Sequence, residues 1–197
     1  NPINGQVWYN TTTNVVKGYK IVNSWATTNS MNTARAYLGG GGTQTSALGF
    51  GGEPGSASTA QTEQWNGTNW TEVNDLNTAR SELAAAGTST AAIAFAGTPF
   101  SAITELWNGT NWTEVNDLNS GRNYIAGSGT STLGLAFGGN LSGGPPRAYT
   151  ETWNGTNWTE ESDLNTGRSA SGGAGTQAAS LAFGGELPSV TAASEAW

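Results

Sequence analysis

The chain has 197 residues, enough for one domain or one array of small repeats, whereas two full domains would each be undersized. Seven Lys+Arg against 14 Asp+Glu leave a net charge of −7, which provides no basic face for a phosphate backbone and argues against a nucleic-acid partner. Cys and His are both absent, which removes disulfides, the usual zinc and copper sites, cysteine nucleophiles and every Ser-His-Asp arrangement.

Only 11% of residues are charged, while Gly numbers 29 and Trp 9, a composition suited to many short strands and tight turns rather than helices. No run approaches the roughly 20 apolar residues that cross a bilayer, and no basic segment followed by an apolar one opens the chain. A soluble protein with no membrane insertion is expected.

From the N-terminus, NPINGQVWYNTTTNVVKGYK reads as a hairpin, Val7 to Asn10 and Asn14 to Tyr19, about a Thr-rich turn. Residues 1–24 form this terminal hairpin and linker, and residues 25–197 form a repeat region. The first copy, SWATTNSMNTAR from Ser24 to Arg35, is degenerate. The next three are nearly identical: WNGTNWTEVNDLNTAR from Trp65 to Arg80, WNGTNWTEVNDLNSGR from Trp107 to Arg122, and WNGTNWTEESDLNTGR from Trp153 to Arg168. Behind each arginine lies a run of small residues, then an apolar run closing on glycine and marked by Phe50, Phe95, Phe137 or Phe183. The phenylalanines are spaced by 45, 42 and 46 residues, and so are Arg35, Arg80, Arg122 and Arg168. Insertions therefore fall between the glycine pair and the next Trp.

Each unit predicts four short strands. In the second unit Ser81 to Ala86 is the first and Ala91 to Ala96 the second, about the turn Gly87 to Thr90. The third strand ends at one tryptophan and the fourth starts at the next, across an Asn-Gly-Thr-Asn turn whose Asn-Gly step tolerates positive φ. Trp65 and Trp70 are expected to face each other across that hairpin. Antiparallel four-stranded units of this length are blades of a β-propeller, which bury one sheet against the next.

The order Leu-Asn-Thr-Ala-Arg, small-residue strand, apolar strand with Gly-Gly, variable loop, aromatic residue, Asn-rich turn, Trp-Thr-Glu resembles the kelch repeat over residues 25–197. The sequence departs from that pattern with Trp in place of Tyr on the third strand, a turn two residues shorter, and Ala96 where other units have the first glycine of the pair. The resemblance implies an all-β, kelch-like propeller. Trp25, Trp70, Trp112 and Trp158 open fourth strands, and Trp65, Trp107, Trp153 and Trp197 end third strands. The chain thus enters on a fourth strand and stops after a third, so four blades of four strands would close if the N-terminal strand completed the last blade. The competing reading is a truncated array, with more blades in a longer native chain. The segment Gly-x-x-Trp-Tyr-Asn-Thr-Thr at Gly5 to Thr12 resembles those preceding domains in bacteriophage tail-fibre proteins.

Three sets of residues are candidates for chemistry. The eight paired tryptophans could stack on sugars, or form the core between blades, where each buries about 150–250 Å². Arg35, Arg80, Arg122 and Arg168 could ring a central channel and hold an anion, or pair with carboxylates such as Asp75, Asp117 and Asp163, five residues before three of them. Ser30 and Thr27 replace Asp and Glu in the first unit, so a four-fold metal site is not expected, and Glu160, Glu161 and Asp163 lack a calcium-loop pattern. Pairs such as Glu63 and Glu72 suit glycosidase distances, but their presence in every blade speaks for structure. Galactose oxidase is a kelch-type propeller enzyme whose copper site needs histidines and a Tyr-Cys crosslink, so its activity does not carry over.

The loops after the glycine pairs, Glu53 to Gln61, Thr98 to Ile103, Asn140 to Tyr149 and Glu186 to Ala193, differ while the strands are almost copied. Diverse loops on a rigid scaffold host recognition, and Asn140, Arg147 and Tyr149 mark the most distinctive one. Asn-x-Ser/Thr triplets, as at Asn66 and Asn69, are turn residues first. The expectation is a non-enzymatic module without catalytic residues, cofactor or metal, virion-borne on a tail fibre or extracellular, that contacts a cell-surface glycan or another virion or surface protein, with homo-oligomers allowed. The alternatives are a secreted propeller lectin or adhesin and, behind it, a carboxylate-dependent hydrolase.

Overall fold

A computed structural model of the protein describes residues 7–18, 24–142 and 144–197. β1 (Val7–Asn10) and β2 (Val15–Gly18) pair as the expected N-terminal hairpin, with Asn14 in the turn at φ 56°; Tyr19 lies outside the described residues. Blade 1 is β3 (Gly39–Thr43), β4 (Ser46–Phe50), β5 (Thr62–Trp65) and β6 (Trp70–Val73). Blade 2 is β7 (Ala84–Gly87), β8 (Ala92–Phe95), β9 (Thr104–Trp107) and β10 (Trp112–Val115). Blade 3 is β11 (Ala126–Gly129), β12 (Gly134–Phe137), β13 (Thr150–Trp153) and β14 (Trp158–Glu160). In blade 4, β15 (Gly172–Thr176) and β16 (Ala179–Phe183) are followed by a loop hairpin, β17 (Glu186–Leu187) and β18 (Ser189–Val190), and then by β19 (Ser194–Ala196). All pairings are antiparallel meanders, and no helix occurs among the described residues: the protein is a four-bladed β-propeller.

The innermost strands are rich in Gly and Ala, poor strand formers, because nothing larger fits beside the neighbouring blade. A Cβ on Gly127 would lie 2.5 Å from the Phe95 ring of blade 2, and one on Gly173 would lie 2.8 Å from Phe137 of blade 3. A backbone staircase crosses the same interfaces: Glu82 N–H donates to Tyr37 O, Tyr124 N–H to Glu82 O and Ala170 N–H to Tyr124 O, at 3.0, 3.1 and 2.8 Å. This need for inter-blade bonds also delays the first strand of blade 2, which starts at Ala84 rather than Ser81, since Glu82 sits at φ 57° to reach blade 1. Ala96 takes φ 64° at the site of its glycine counterparts, so the turn geometry prevails over the residue's preference.

The tryptophans face each other as expected: Trp65 opposite Trp70, Trp107 opposite Trp112 and Trp153 opposite Trp158, with ring centroids 5.4–5.6 Å apart. The hairpins hold because the Oδ1 atoms of Asn66, Asn108 and Asn154 each accept two backbone N–H groups across the turn. Five of these rings are buried. Trp107 and Trp112 join Leu48 and Phe50 in the core between blades 1 and 2, and Trp153 and Trp158 join Ile93 and Phe95 between blades 2 and 3. Between blades 3 and 4 the core shrinks to Ala126, Leu135, Phe137 and Ala182.

The fourth blade differs from expectation. It has three strands, and the residues expected to provide a fourth, from Trp25 onward, carry no strand. These residues are held at blade 1 by the bonds that the fourth strands of blades 1 and 2 make to the blade after them: Asn29 Nδ2 donates to Thr68 O and Asn69 Oδ1, and Asn32 Nδ2 to Trp70 O, as Asn74 and Asn77 do in blade 2.

Candidate recognition site on the loop face

The four repeated arginines lie inside the blades. Arg35, Arg80, Arg122 and Arg168 pair with Glu63, Glu105, Glu151 and Glu195, carboxylates on the third strand of the same blade. The Arg80–Glu105 contact is 2.9 Å and the Arg122–Glu151 contact 2.6 Å, with both arginine side chains fully buried. Arg122 Nη1 also donates to Gly138 O and Tyr149 O at 2.8 Å each, and Arg80 Nη1 donates to Ala96 O and Ile103 O. Burial lowers the Arg80 and Arg122 guanidinium pKa, and the facing glutamates oppose that shift.

The aspartates foreseen as arginine partners have another task. Asp75, Asp117 and Asp163 accept the N–H of Thr62, Thr104 and Thr150 at 3.0–3.1 Å and start the third strand. Of the carboxylates opposite each other on strands three and four, Glu63 with Glu72 and Glu105 with Glu114, one of each pair is held by an arginine. Among the described residues no group of three acidic side chains is placed to hold a metal.

The arginines do not line the axis; the residues two positions later do. Tyr37, Glu82, Tyr124 and Ala170 all adopt φ between 50° and 57°, and Tyr37 and Tyr124 meet edge-on at 6.1 Å. The Glu82 carboxylate, aided by partial burial, pushes the Tyr124 phenol up to about 12. A phenol raised above its unfolded value of about 10 favours the folded state while protonated. That contribution is full below about pH 10 and disappears as pH rises toward 12. The tyrosinate absorbance assigned to Tyr124, by difference from Tyr124→Phe, is therefore expected to rise last in the native protein and at an ordinary pH in Glu82→Gln. An ordinary titration in the unmodified protein would refute the Glu82 contact.

The loops converge on one face. Phe100, Asn123, Asn140, Pro146, Ser169 and Glu186, from blades 2, 3 and 4, line an open cavity of about 360 Å³. Two backbone bridges set its walls: Asn123 with Asn140, and Ser169 with Glu186, each pair exchanging both N–H···O bonds at 2.9–3.2 Å. Asn123 Nδ2 donates to Glu82 Oε2 at 2.8 Å, while its Oδ1 is buried without a partner.

Of the loop residues marked in the sequence, Asn140 lines the cavity and the other two support it from behind. Tyr149 accepts Arg122 on its carbonyl and lies with its ring 5.9 Å from that guanidinium. Arg147 joins the loop to blade 4 through backbone bonds with Gly139 and Arg168. Phe100, Asn123, Ser169 and Glu186 were not singled out as site residues. For Asn123, Ser169 and Glu186 the signal was in the repeats: the residue after each arginine and the residue after each glycine pair are not constant, being Ala36 and Glu53, Ser81 and Thr98, Asn123 and Asn140, Ser169 and Glu186, while Phe100 lies outside that pattern. No protein-family model and no curated protein matches the chain.

Proposed function

We propose that the protein is a non-enzymatic recognition module of kelch-like repeats, borne on a phage tail fibre or related virion protein, whose loop face binds a cell-surface glycan. The observation that carries this reading is the division of polar groups. Those repeated in every blade are spent inside it, on Arg–Glu pairs and strand starts, whereas the non-repeated ones meet at an open cavity. An aromatic edge at Phe100 beside the amide, hydroxyl and carboxylate groups of Asn123, Asn140, Ser169 and Glu186 suits a neutral ligand with many hydroxyls. Such sites are weak singly and gain from being displayed in several copies.

Binding to a glycan array, followed by titration of tryptophan fluorescence with the best hit, tests the reading. Phe100→Ala and Asn140→Ala should each weaken saturable binding by about tenfold or more while leaving the melting temperature unchanged. No binding across the array would turn the assignment toward docking of a neighbouring protein subunit.

A further inference from the structure

The place in the repeat two residues after each arginine is held by Tyr37, Glu82, Tyr124 and Ala170. The backbone staircase runs through all four, so their side chains start from one small ring at the axis. The positive φ they share belongs to that staircase, whereas the side chains carried on it are free to differ. Beside them lies an open cavity of about 260 Å³, with apolar walls from Leu38, Leu83 and Ile125. It shares no lining residue with the loop-face cavity.

Two aromatic walls and one carboxylate meet in this cavity. The Tyr37 and Tyr124 rings stand at 87° with centroids 6.1 Å apart, so a group seated in the angle between them touches a face of each. Tyr37 is 54% exposed, unlike a ring that packs to plug a channel. Glu82 lies between the two tyrosines in the staircase, and Ala170, its last member, contributes only a methyl group and fills little of the space.

The Glu82 carboxylate has hydrogen-bond partners but no counter-charge. Its Oε2 accepts the Thr98 hydroxyl at 2.6 Å and the Asn123 amide at 2.8 Å, and the Tyr124 phenol is a third partner. All three donors are neutral, and the ion pairs among the described residues use other glutamates. No lysine or arginine lines the cavity, and Glu53 is near enough to act on the same phenol. The negative charge therefore persists while much of the carboxylate's hydrogen-bonding capacity is committed. A primary ammonium would have to compete with those donors, whereas a cation without N–H groups needs only to come close.

We propose that this axial cavity binds a quaternary ammonium group of the trimethylammonium type, seated between the Tyr37 and Tyr124 rings with Glu82 beside it. Methyl groups spread the positive charge over a surface that suits ring faces, and such a cation sheds water more readily than a compact ammonium. Leu83 and Ile125 receive the remaining methyl surface. The inference does not rest on glycan binding, which concerns the neighbouring cavity.

Titration of the full chain with choline chloride at constant ionic strength, read from the ring NMR signals of Tyr37 and Tyr124, tests the site. Both rings should shift saturably in the millimolar range. Glu82→Gln, which keeps the shape, and Tyr37→Leu, at an exposed ring, should each weaken binding by about tenfold, while Tyr37→Phe should stay within about threefold of the parent. The neutral carbon isostere of choline, with tert-butyl in place of trimethylammonium, and ethanolamine, with N–H groups, should each bind at least about tenfold more weakly. Phosphocholine separates the two sources of the group: binding like that of choline assigns a tethered headgroup and rejection assigns the free cation, and either result supports the site. Rings that do not respond to choline would overturn the proposal. An isostere binding as well as choline would reduce the cavity to an apolar hollow, and ethanolamine binding as well would make it a plain carboxylate contact; each overturns it equally.

Discussion

Arg122→Met is expected to cost about 3–5 kcal/mol of folding stability, a large share of the roughly 5–15 kcal/mol that holds a domain of this kind. The reason is what stays behind. Glu151 would remain buried with its charge, still accepting the Asn119 backbone and side-chain N–H groups at 2.8 Å but without the guanidinium opposite. The carbonyls of Gly138 and Tyr149 would each lose a donor at 2.8 Å. The double variant Arg122→Met/Glu151→Met removes the stranded charge and should recover part of the loss, because a buried ion pair is worth little against a well-packed apolar pair. Denaturant unfolding of the two single variants and the double variant gives the coupling directly. Arg168→Met should lose less, since Glu195 is 13% exposed in a blade that lacks its fourth strand. Indifference of the protein to Arg122→Met would mean that the pair does not lock the blade.

The strand count and the facing tryptophans were legible because repetition turns local signals into a pattern. One Asn-Gly step is weak evidence for a hairpin, but three copies between paired tryptophans leave few other readings. Pairing of the arginines with carboxylates was legible, but sequence proximity favours Asp75, Asp117 and Asp163, whereas the ion pair spans 28 residues from Arg35 to Glu63. Counting could have corrected this. Glu63, Glu105, Glu151 and Glu195 form a complete set of four for four arginines, while the aspartate set breaks at Ser30. The loop-face cavity was legible only in part: the variable loops and Asn140 pointed to it, but three loops of unequal length converge there and no spacing in the chain encodes where they meet.

Trp158→Ala should be as damaging as the broken ion pair, at about 3–5 kcal/mol. The indole is 6% exposed, stacks on Trp153 at 5.4 Å, meets Phe95 of the preceding blade at 4.9 Å, and donates to Thr104 Oγ1 at 2.9 Å. Truncation would leave a cavity between two sheets that cannot collapse without disturbing the staircase at Glu82 and Tyr124, and would orphan a buried hydroxyl. Trp158→Phe keeps much of the volume and should cost less. Trp112→Ala repeats the environment one blade earlier, with Phe50 at 4.7 Å and Thr62 at 3.1 Å, and should lose a similar amount. Trp70 has the same hairpin partner, Trp65 at 5.6 Å, but is only half-buried, with no phenylalanine of a preceding blade against it. Trp70→Ala should therefore lose clearly less than Trp112→Ala or Trp158→Ala in denaturant unfolding of the monomer. Equal losses at all three positions would assign the stabilisation to the hairpin pair alone, and the contact between blades would then contribute little to holding the propeller together.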